Sequence, residues 1–367
     1  MIELNIILIA VFTASAAALS GVFLVLRKMS LMSDAISHAV LPGIVVAFLI
    51  TRDLQSPFLI VGAAATGLVM VFIIELINKT KLVKEDAAIG LVFPALFSIG
   101  VILISQNLSD VHLCEETVLT GDIVLSSINS IQLFGVDIGP KSMYVMAGLL
   151  LINIVFISLF FKELKLSTFD PLLASSLGFN ISLINYSFMA IVSVTAVGAF
   201  DSVGSILVIA LMIAPAVSAC LLTDKLKMML LLSVLFGIVS AIFGFYISVL
   251  LNSSPSGSMA MTAGFLFLLV YLFAPVKGIV AVARRKKRHN RVFSQKILAL
   301  HIAHHSNTCE EEQECCEETI YNHIFWDKRL VKQIVEGAKN DKLVVSDNGI
   351  LKLTPKGQEF IALDIIL

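Results

Sequence analysis

The amino-acid sequence predicts an all-α polytopic membrane protein of eight or nine transmembrane helices, followed by a small α+β cytoplasmic domain. Composition is the first ground. Of 367 residues, 57% are hydrophobic and 14% charged, with a mean hydropathy of +0.94, which is more apolar surface than one water-soluble core can hide. The second ground is a series of apolar stretches of about 20 residues, the length that crosses a hydrocarbon layer. The third is an abrupt change of character at RRKKR (284–288), beyond which charged residues dominate. Together they divide the chain into a membrane domain, 1–283, and an appended domain, 284–367.

In chain order the expected spans cover roughly 4–26, 30–50, 57–78, 87–106, 143–161, 182–199, 203–222, 227–250 and 259–276. The first lacks a basic leader and a small-residue cleavage site, so it reads as a retained span. Alternation of nine spans puts Arg27/Lys28, KTKLVK (79–84), KELK (162–165), DKLK (224–227) and RRKKR on one side. The positive-inside bias makes that side the cytoplasm. The amino terminus and residues 107–142 then lie outside, and everything after Lys277 lies inside. If two neighbouring short spans were one broken helix, the count would fall to eight. Pro42, Pro94 and Pro215 interrupt three spans, as in tightly packed or broken transport helices. The five cysteines (114, 220, 309, 315 and 316) show no disulfide spacing and three fall in the polar tail, which points to a reducing compartment.

Asp34 and His38 stand one helical turn apart in SLMSDAISHAVLPGIVVAFLI (30–50), a stretch otherwise apolar enough for lipid. An ionisable side chain there costs at least about 2.5 kcal/mol, so one that is kept usually lines a solvated path; two at i, i+4 share a face. If the span begins near Ser30, His38 lies roughly 12 Å in at 1.5 Å per residue, close to the middle of a layer about 30 Å thick. Pro42 has no N–H to offer the carbonyl of His38, four residues back. Carboxylate, imidazole and carbonyl make a mixed O/N set that Mn²⁺, Fe²⁺ or Zn²⁺ accepts, with no thiolate to hold the ion fast. The plainer alternative is an interfacial Asp34 and a packing histidine.

Three further segments carry chemistry. Asp170-Pro171 starts a short helix with a cap and a first-turn proline, and Gly178 stops it; an ordinary helical linker is the alternative. SDVHLCEETVLTGD (109–122) offers His112, Glu115 and Glu116 near the expected entrance, either as metal-accepting groups or as a solvated loop. Asp201 either joins that entrance or caps the seventh span. The sequence has no GxxxxGK[ST] loop, so the chain is read as a non-catalytic subunit that relies on a separate ATPase.

The tail reads as three helices, 291–303, 318–325 and 328–340, the last with Leu330, Ile334 and Val335 on one face. A hairpin then turns at Asn348-Gly349. Three helices and a hairpin are the order of a winged helix. Lys328, Arg329, Lys332 and Lys339 are balanced by Asp327 and Glu336, so an interaction or regulatory module is favoured over nucleic-acid binding. HIAHHSNTCEEEQECCEE (301–318) places His301, His304, His305, Cys309, Cys315 and Cys316 among glutamates. These are candidates for cytoplasmic metal sensing, the alternative being a flexible acidic loop.

SLMSDAISHAVLPGIVVAFL resembles the signature segment of permeases from metal-importing ABC transporters of the zinc, manganese and iron type. STFDPLLASSLGF (167–179) resembles that family's cytoplasmic FDPxxAxxxG segment, and VGSILVIALMIAPAVSACLLT (203–223) resembles its VGxxLVxALLIxPAxxAxLLT span. The outer segment is similar to the HLD-type loop of the manganese/iron branch, with Cys114 where aspartate is expected. The ending LKLTPKGQEFIALDI resembles the winged-helix domain of metal-dependent repressors related to the diphtheria toxin repressor. The resemblance implies a multi-pass protein of the bacterial cytoplasmic membrane, surrounded by lipid. It implies a second permease subunit, an ATPase seated at Phe169, Asp170, Pro171 and Gly178, and an extracytoplasmic metal-binding protein. No cofactor would be held permanently, because the divalent metal is the cargo. Two other readings remain: a membrane-tethered sensor acting through the tail, and a proton-coupled secondary transporter.

Overall fold

The computed structural model describes residues 2–53, 56, 58–80, 82–107, 122–133, 136–306, 308, 310–324 and 326–362. The chain forms two compact units, Met1–Gly278 and Ile279–Leu367. Among the described residues, nine helical stretches are long and apolar enough to cross a membrane.

The first unit is organised around α1 (Ile2–Leu26). Its middle is made of small residues, Ala14, Ser15, Ala16, Ala17 and Ala18, all buried. Lipid tails are as apolar as leucine, so helices in a bilayer associate by close backbone approach rather than by hydrophobic exclusion. At Gly21 a Cβ would stand 1.8 Å from the carbonyl oxygen of Met212, so only glycine fits between α1 and α11 (Ser205–Leu222). Helices α7 (Lys141–Leu159) and α12 (Leu226–Leu251) also pack on α1. Ser233 of α12 donates to the carbonyl of Ala18 across 3.2 Å. Helix α13 (Pro255–Phe273) closes that side against α11 and α12. Outward apolar side chains such as Leu235, Phe243 and Phe273 are exposed, as lipid-facing residues should be.

The second expected span is two helices, α2 (Leu31–Ala39) and α3 (Leu41–Thr51), separated at Val40. Pro42 explains the break. It cannot donate to the turn before it and is tolerated where a helix starts, so the chain ends one helix and begins another. The amides of Gly43 and Ile44 both bond to the Val40 carbonyl at 3.1 Å. Helix α4 (Phe58–Lys79) supports the break closely: a Cβ on Gly43 would lie 2.0 Å from the Gly62 carbonyl oxygen. Helix α5 (Glu85–Asn107) covers it from another side, with Gly100 against Leu41 and Pro42. The interruption thus falls inside one span, and the count among the described residues is nine.

Beyond α5 the described chain resumes with α6 (Ile123–Ile128), capped by Asp122, and an antiparallel hairpin, β1 (Ser130–Leu133) and β2 (Val136–Pro140). Neither was expected from the sequence. After α7 come a short α8 (Phe161–Phe169), α9 (Pro171–Ser176) and α10 (Ile181–Val203). Asp201 lies in the last turn of α10, while Gly204 precedes α11 without a side-chain cap. The reading of Asp201 as a cap is therefore corrected. The cause is that α10 runs four residues past its expected end at 199, so the turn that follows begins at Gly204.

The second unit starts with α14 (Ile279–His305), which begins twelve residues earlier than expected because the basic run contains no helix breaker. Next come α15 (Glu311–Glu314), α16 (Ile320–Ile324), α17 (Lys328–Asn340), the hairpin β3 (Val344–Asp347) and β4 (Ile350–Leu353), and a closing α18 (Pro355–Ala362). Asn348 and Gly349 have φ of 50° and 84°, the doubly left-handed turn that such a two-residue hairpin needs. On α17 the buried stripe is Val331, Ile334, Val335 and Ala338. Leu330 is exposed, contrary to expectation: positions 331, 334, 335 and 338 follow the i, i+3, i+4, i+7 pattern, and 330 falls beside it. The unit is a set of helices around a single two-stranded sheet, with a helix rather than the hairpin at its described end.

Candidate functional site

In α2 every residue from Met32 to Ala39 is buried except Asp34 and His38. Their side chains are 52% and 37% exposed, with His38 Nε2 3.8 Å from Asp34 Oδ1. The uniform burial of their neighbours means that α2 is packed on all sides but one. That open side carries the two metal-ligand types. Phe93 and Phe97 of α5 stand beside the imidazole, with ring centroids 5.9 and 6.2 Å away, so an apolar wall limits where the ring can swing. Among the described residues no third His, Cys, Asp or Glu joins the pair in a metal-holding group. The break at Val40 comes two residues after His38, with nine helical residues of the span on one side of it and eleven on the other. Thr66 of α4 donates to its own helix at Gly62 and Ala63 and reaches the Val40 carbonyl at 3.5 Å. The pair therefore stands on a kinked span held by close helix contacts.

The second group of site residues surrounds α9. Asp170 Oδ1 accepts a hydrogen bond from the Leu173 amide at 3.0 Å, and Pro171 occupies the first helical position. At the other end the Gly178 amide bonds to the Ser175 carbonyl and the Phe179 amide to the Ala174 carbonyl. With Gly178 at φ +88°, this is the paired closure that glycine permits at a helix end. A six-residue helix has almost no intrinsic stability, so two caps fix where it begins and ends. Leu172 and Leu173 on it, and Phe169 and Leu177 flanking it, are exposed, with Leu172 85% accessible.

Sequence reasoning missed the residue that ties this segment to the bundle. Arg27, at the end of α1, donates Nε to Thr168 Oγ1 (3.1 Å), Nη1 to Asn185 Oδ1 (2.7 Å) and Nη2 to Ser167 Oγ (3.0 Å). The same guanidinium covers the Phe188 ring at 4.9 Å. A cavity of about 310 Å³ opens beside it, lined by Glu75, Asn78, Pro171 and Met189 among others. Arg27 was read only as a topology charge. Its fivefold donor fork, adjacent to a span end, was the available signal.

The remaining expected residues divide. His112, Glu115 and Glu116, like Cys114, lie outside the described residues, as does Cys309. Asp201 is exposed at the end of α10, its carbonyl 3.4 Å from the Ser126 hydroxyl of α6. Among the described residues, His301 and His305 of this segment enter a cluster, together with Glu314. His304 meets His305 edge to face at 5.1 Å. Cys315 is a core residue, its thiol pushed up to about 11 by burial and by Glu311 and Glu314. Cys316 pairs through its backbone with Ile350.

Nine helical stretches long and apolar enough to cross a membrane, among the described residues, define a polytopic membrane protein. The chain belongs to the ABC 3 transport family, whose profile matches residues 2–274. It is 45% identical over 354 residues to the zinc transport system membrane protein TroD of Treponema pallidum, covering 96% of each chain. It is 46% identical over 278 residues to the manganese transport system membrane protein MntD of Bacillus subtilis, covering 76% of this chain and 94% of MntD. Among solved structures it resembles PsaBC from Streptococcus pneumoniae in complex with Fab, at 33% identity and a TM-score of 0.61, covering 74% of this chain and 92% of that one.

Proposed function

We propose that the chain is the membrane permease subunit of an ATP-driven importer, carrying a divalent transition metal across the bacterial cytoplasmic membrane. Mn²⁺ or Fe²⁺ is the favoured cargo and Zn²⁺ the next. The observation that carries this reading is the Asp34–His38 pair: two ligands 3.8 Å apart on the one uncovered side of a broken span. Ligands of this type rank these ions weakly, and selectivity comes from geometry and supply. Two ligands alone favour passage over retention. A second permease subunit facing α2 and α5 would complete the path.

The exposed leucines of α9 are the surface offered to an ATPase, which hydrolyses ATP in place of this chain. Arg27 carries the resulting movement into α1 and α10. Asp201, with His112, Glu115 and Glu116, forms the outer entrance that receives the ion from an extracytoplasmic binding protein. The unit Ile279–Leu367 lies in the cytoplasm as a winged-helix-like regulatory module; the run of helices ending in α17 before a tight hairpin supports that reading. TroD is matched over 354 residues and MntD over 278, so transport-system membrane proteins occur both with and without the length of this unit.

The test is uptake of each metal by cells carrying Asp34→Ala or His38→Ala. Loss of uptake with the complex still assembled is the expected result, and undiminished uptake overturns the path. Truncation after residue 288 separates the alternative in which the chain is a tethered sensor: uptake and metal-responsive transcription that both persist would eliminate the sensor.

A further inference from the structure

The second unit contains a cluster that the transport reading does not use. His301 and His305 stand one turn apart at the end of α14, with ring centroids 4.8 Å apart. Glu314, the last residue of α15, brings Oε2 to 3.6 Å from His301 Nε2, and its backbone carbonyl lies 3.1 Å from the same nitrogen. One ligand atom from each of the three residues lies within 4.8 Å of the others. His323 of α16 lies with Nδ1 2.8 Å from Glu314 Oε2. Glu310 adds a carboxylate 3.7 Å from His305 Nδ1. Three imidazoles thus surround one carboxylate, contributed by three successive helices.

We propose that His301, His305 and Glu314 bind a first-row divalent transition-metal ion, with His323 holding the Glu314 carboxylate in place. Donors 2.0–2.2 Å from a tetrahedral ion stand about 3.3–3.6 Å apart, so the 3.6 Å pair is already at that spacing. The others need to close by about an ångström. A His₂–carboxylate set suits Zn²⁺, Mn²⁺ or Fe²⁺. The outer histidine on the carboxylate supplies the kind of support that fixes ligand orientation in metal sites. The side chains of His301, His305, Glu314 and His323 are only 16%, 20%, 23% and 29% exposed, unlike a solvated acidic loop.

The site also has a structural consequence. Glu314 adjoins Cys315, whose carbonyl accepts the Leu351 amide of the hairpin, and Leu298, Ile302, Cys315 and Leu351 share one core. An ion joining α14 to α15 would therefore stabilise the whole unit. That this ion is cargo already imported, and that its binding reports supply, rests on the transport reading.

The test uses the full-length chain in lipid nanodiscs, titrated with Co²⁺ as a spectroscopic probe and with Zn²⁺ and Mn²⁺. Trp326, the chain's one tryptophan, packs against this core and reports its unfolding by fluorescence. The expected result is one bound equivalent, with visible Co²⁺ bands and a Trp326 unfolding midpoint raised by several degrees, as ligand binding to the folded state requires. H301Q/H305Q loses that equivalent and the shift, while D34A/H38A retains both and loses uptake. Should the double variant alter Trp326 emission without metal, E314Q and H323Q take its place. Unchanged stoichiometry and bands in the substituted proteins overturn the site and leave the transport reading intact.

Discussion

Asp34/His38 and His301/His305 are the same device, two metal-ligand side chains one helical turn apart, and the two units complete it differently. In the membrane unit the pair faces outward, its side chains are 52% and 37% exposed, and apolar rings stand beside it. In the second unit the pair is mostly covered, and Glu314 and His323 close around it. On the proposed reading, ligand number separates passing an ion from keeping it. A carrier's ligands must release as readily as they bind, whereas a site that reports occupancy needs a full ligand set.

The strongest way to break the contrast is to displace the kinked span itself. In Gly43→Ala the new methyl would meet the Gly62 carbonyl oxygen at 2.0 Å. Backbone cannot yield there as a flexible side chain would, so α3 and α4 must separate. Uptake is expected to fall to background, with the Co²⁺ equivalent of the second unit unchanged; normal uptake would show that the seating of the break is irrelevant. Converting the passing pair into a holding one comes next. Phe97→His would put a second imidazole, and so a third ligand, beside His38, whose ring lies 6.2 Å from that of Phe97. Uptake should drop about tenfold, with a metal equivalent retained by the membrane unit on purification. Faster uptake would contradict the proposed role of ligand number.

Periodicity and helix-end chemistry made much of this legible. The nine spans follow from apolar length, and the two ends of α9 follow from Asp170, Pro171 and Gly178. The hairpin turn follows from Asn348-Gly349, which is left-handed at both positions. The tail cluster was legible only in half: His301 and His305 share a face by spacing, but Glu314 and His323 arrive from separate short helices. Of the tail cysteines, Cys315 lies in the core of the second unit. Arg27 was equally hidden, because its partners lie some 140 to 158 residues away.

A smaller effect is expected at α9. Asp170→Ala removes the acceptor for the Leu173 amide, at a cost of about 1 kcal/mol. Leu172→Asp leaves the caps intact but places a charge on the exposed apolar surface, so it should reduce co-purification of the ATPase more than Asp170→Ala does. Equal effects would mean that the helix's shape, not its apolar surface, is what the partner reads.

The smallest effect concerns how firmly the second unit holds its ligands. Lys339 donates to both oxygens of Glu317 at 2.6 and 2.7 Å, and Ser346 donates to one of them at 2.9 Å. Those bonds, Lys339 first, hold the Glu317 carboxyl below its usual range. Because the folded value is the lower one, the stabilisation is present above the unfolded pKa, about 4.3, and is lost as pH falls through the folded value. Both side chains are about one-third exposed, so screening limits the contribution to less than about 1 kcal/mol. Lys339→Met should therefore lower the Trp326 unfolding midpoint slightly at pH 7 and not at all once pH is below the folded value. Glu317 lies three residues from Glu314, so the same variant should weaken Co²⁺ binding no more than a few-fold. A deficit that persisted unchanged at acid pH would mean that Lys339 acts through its aliphatic stem, and not through the carboxylate beside the cluster.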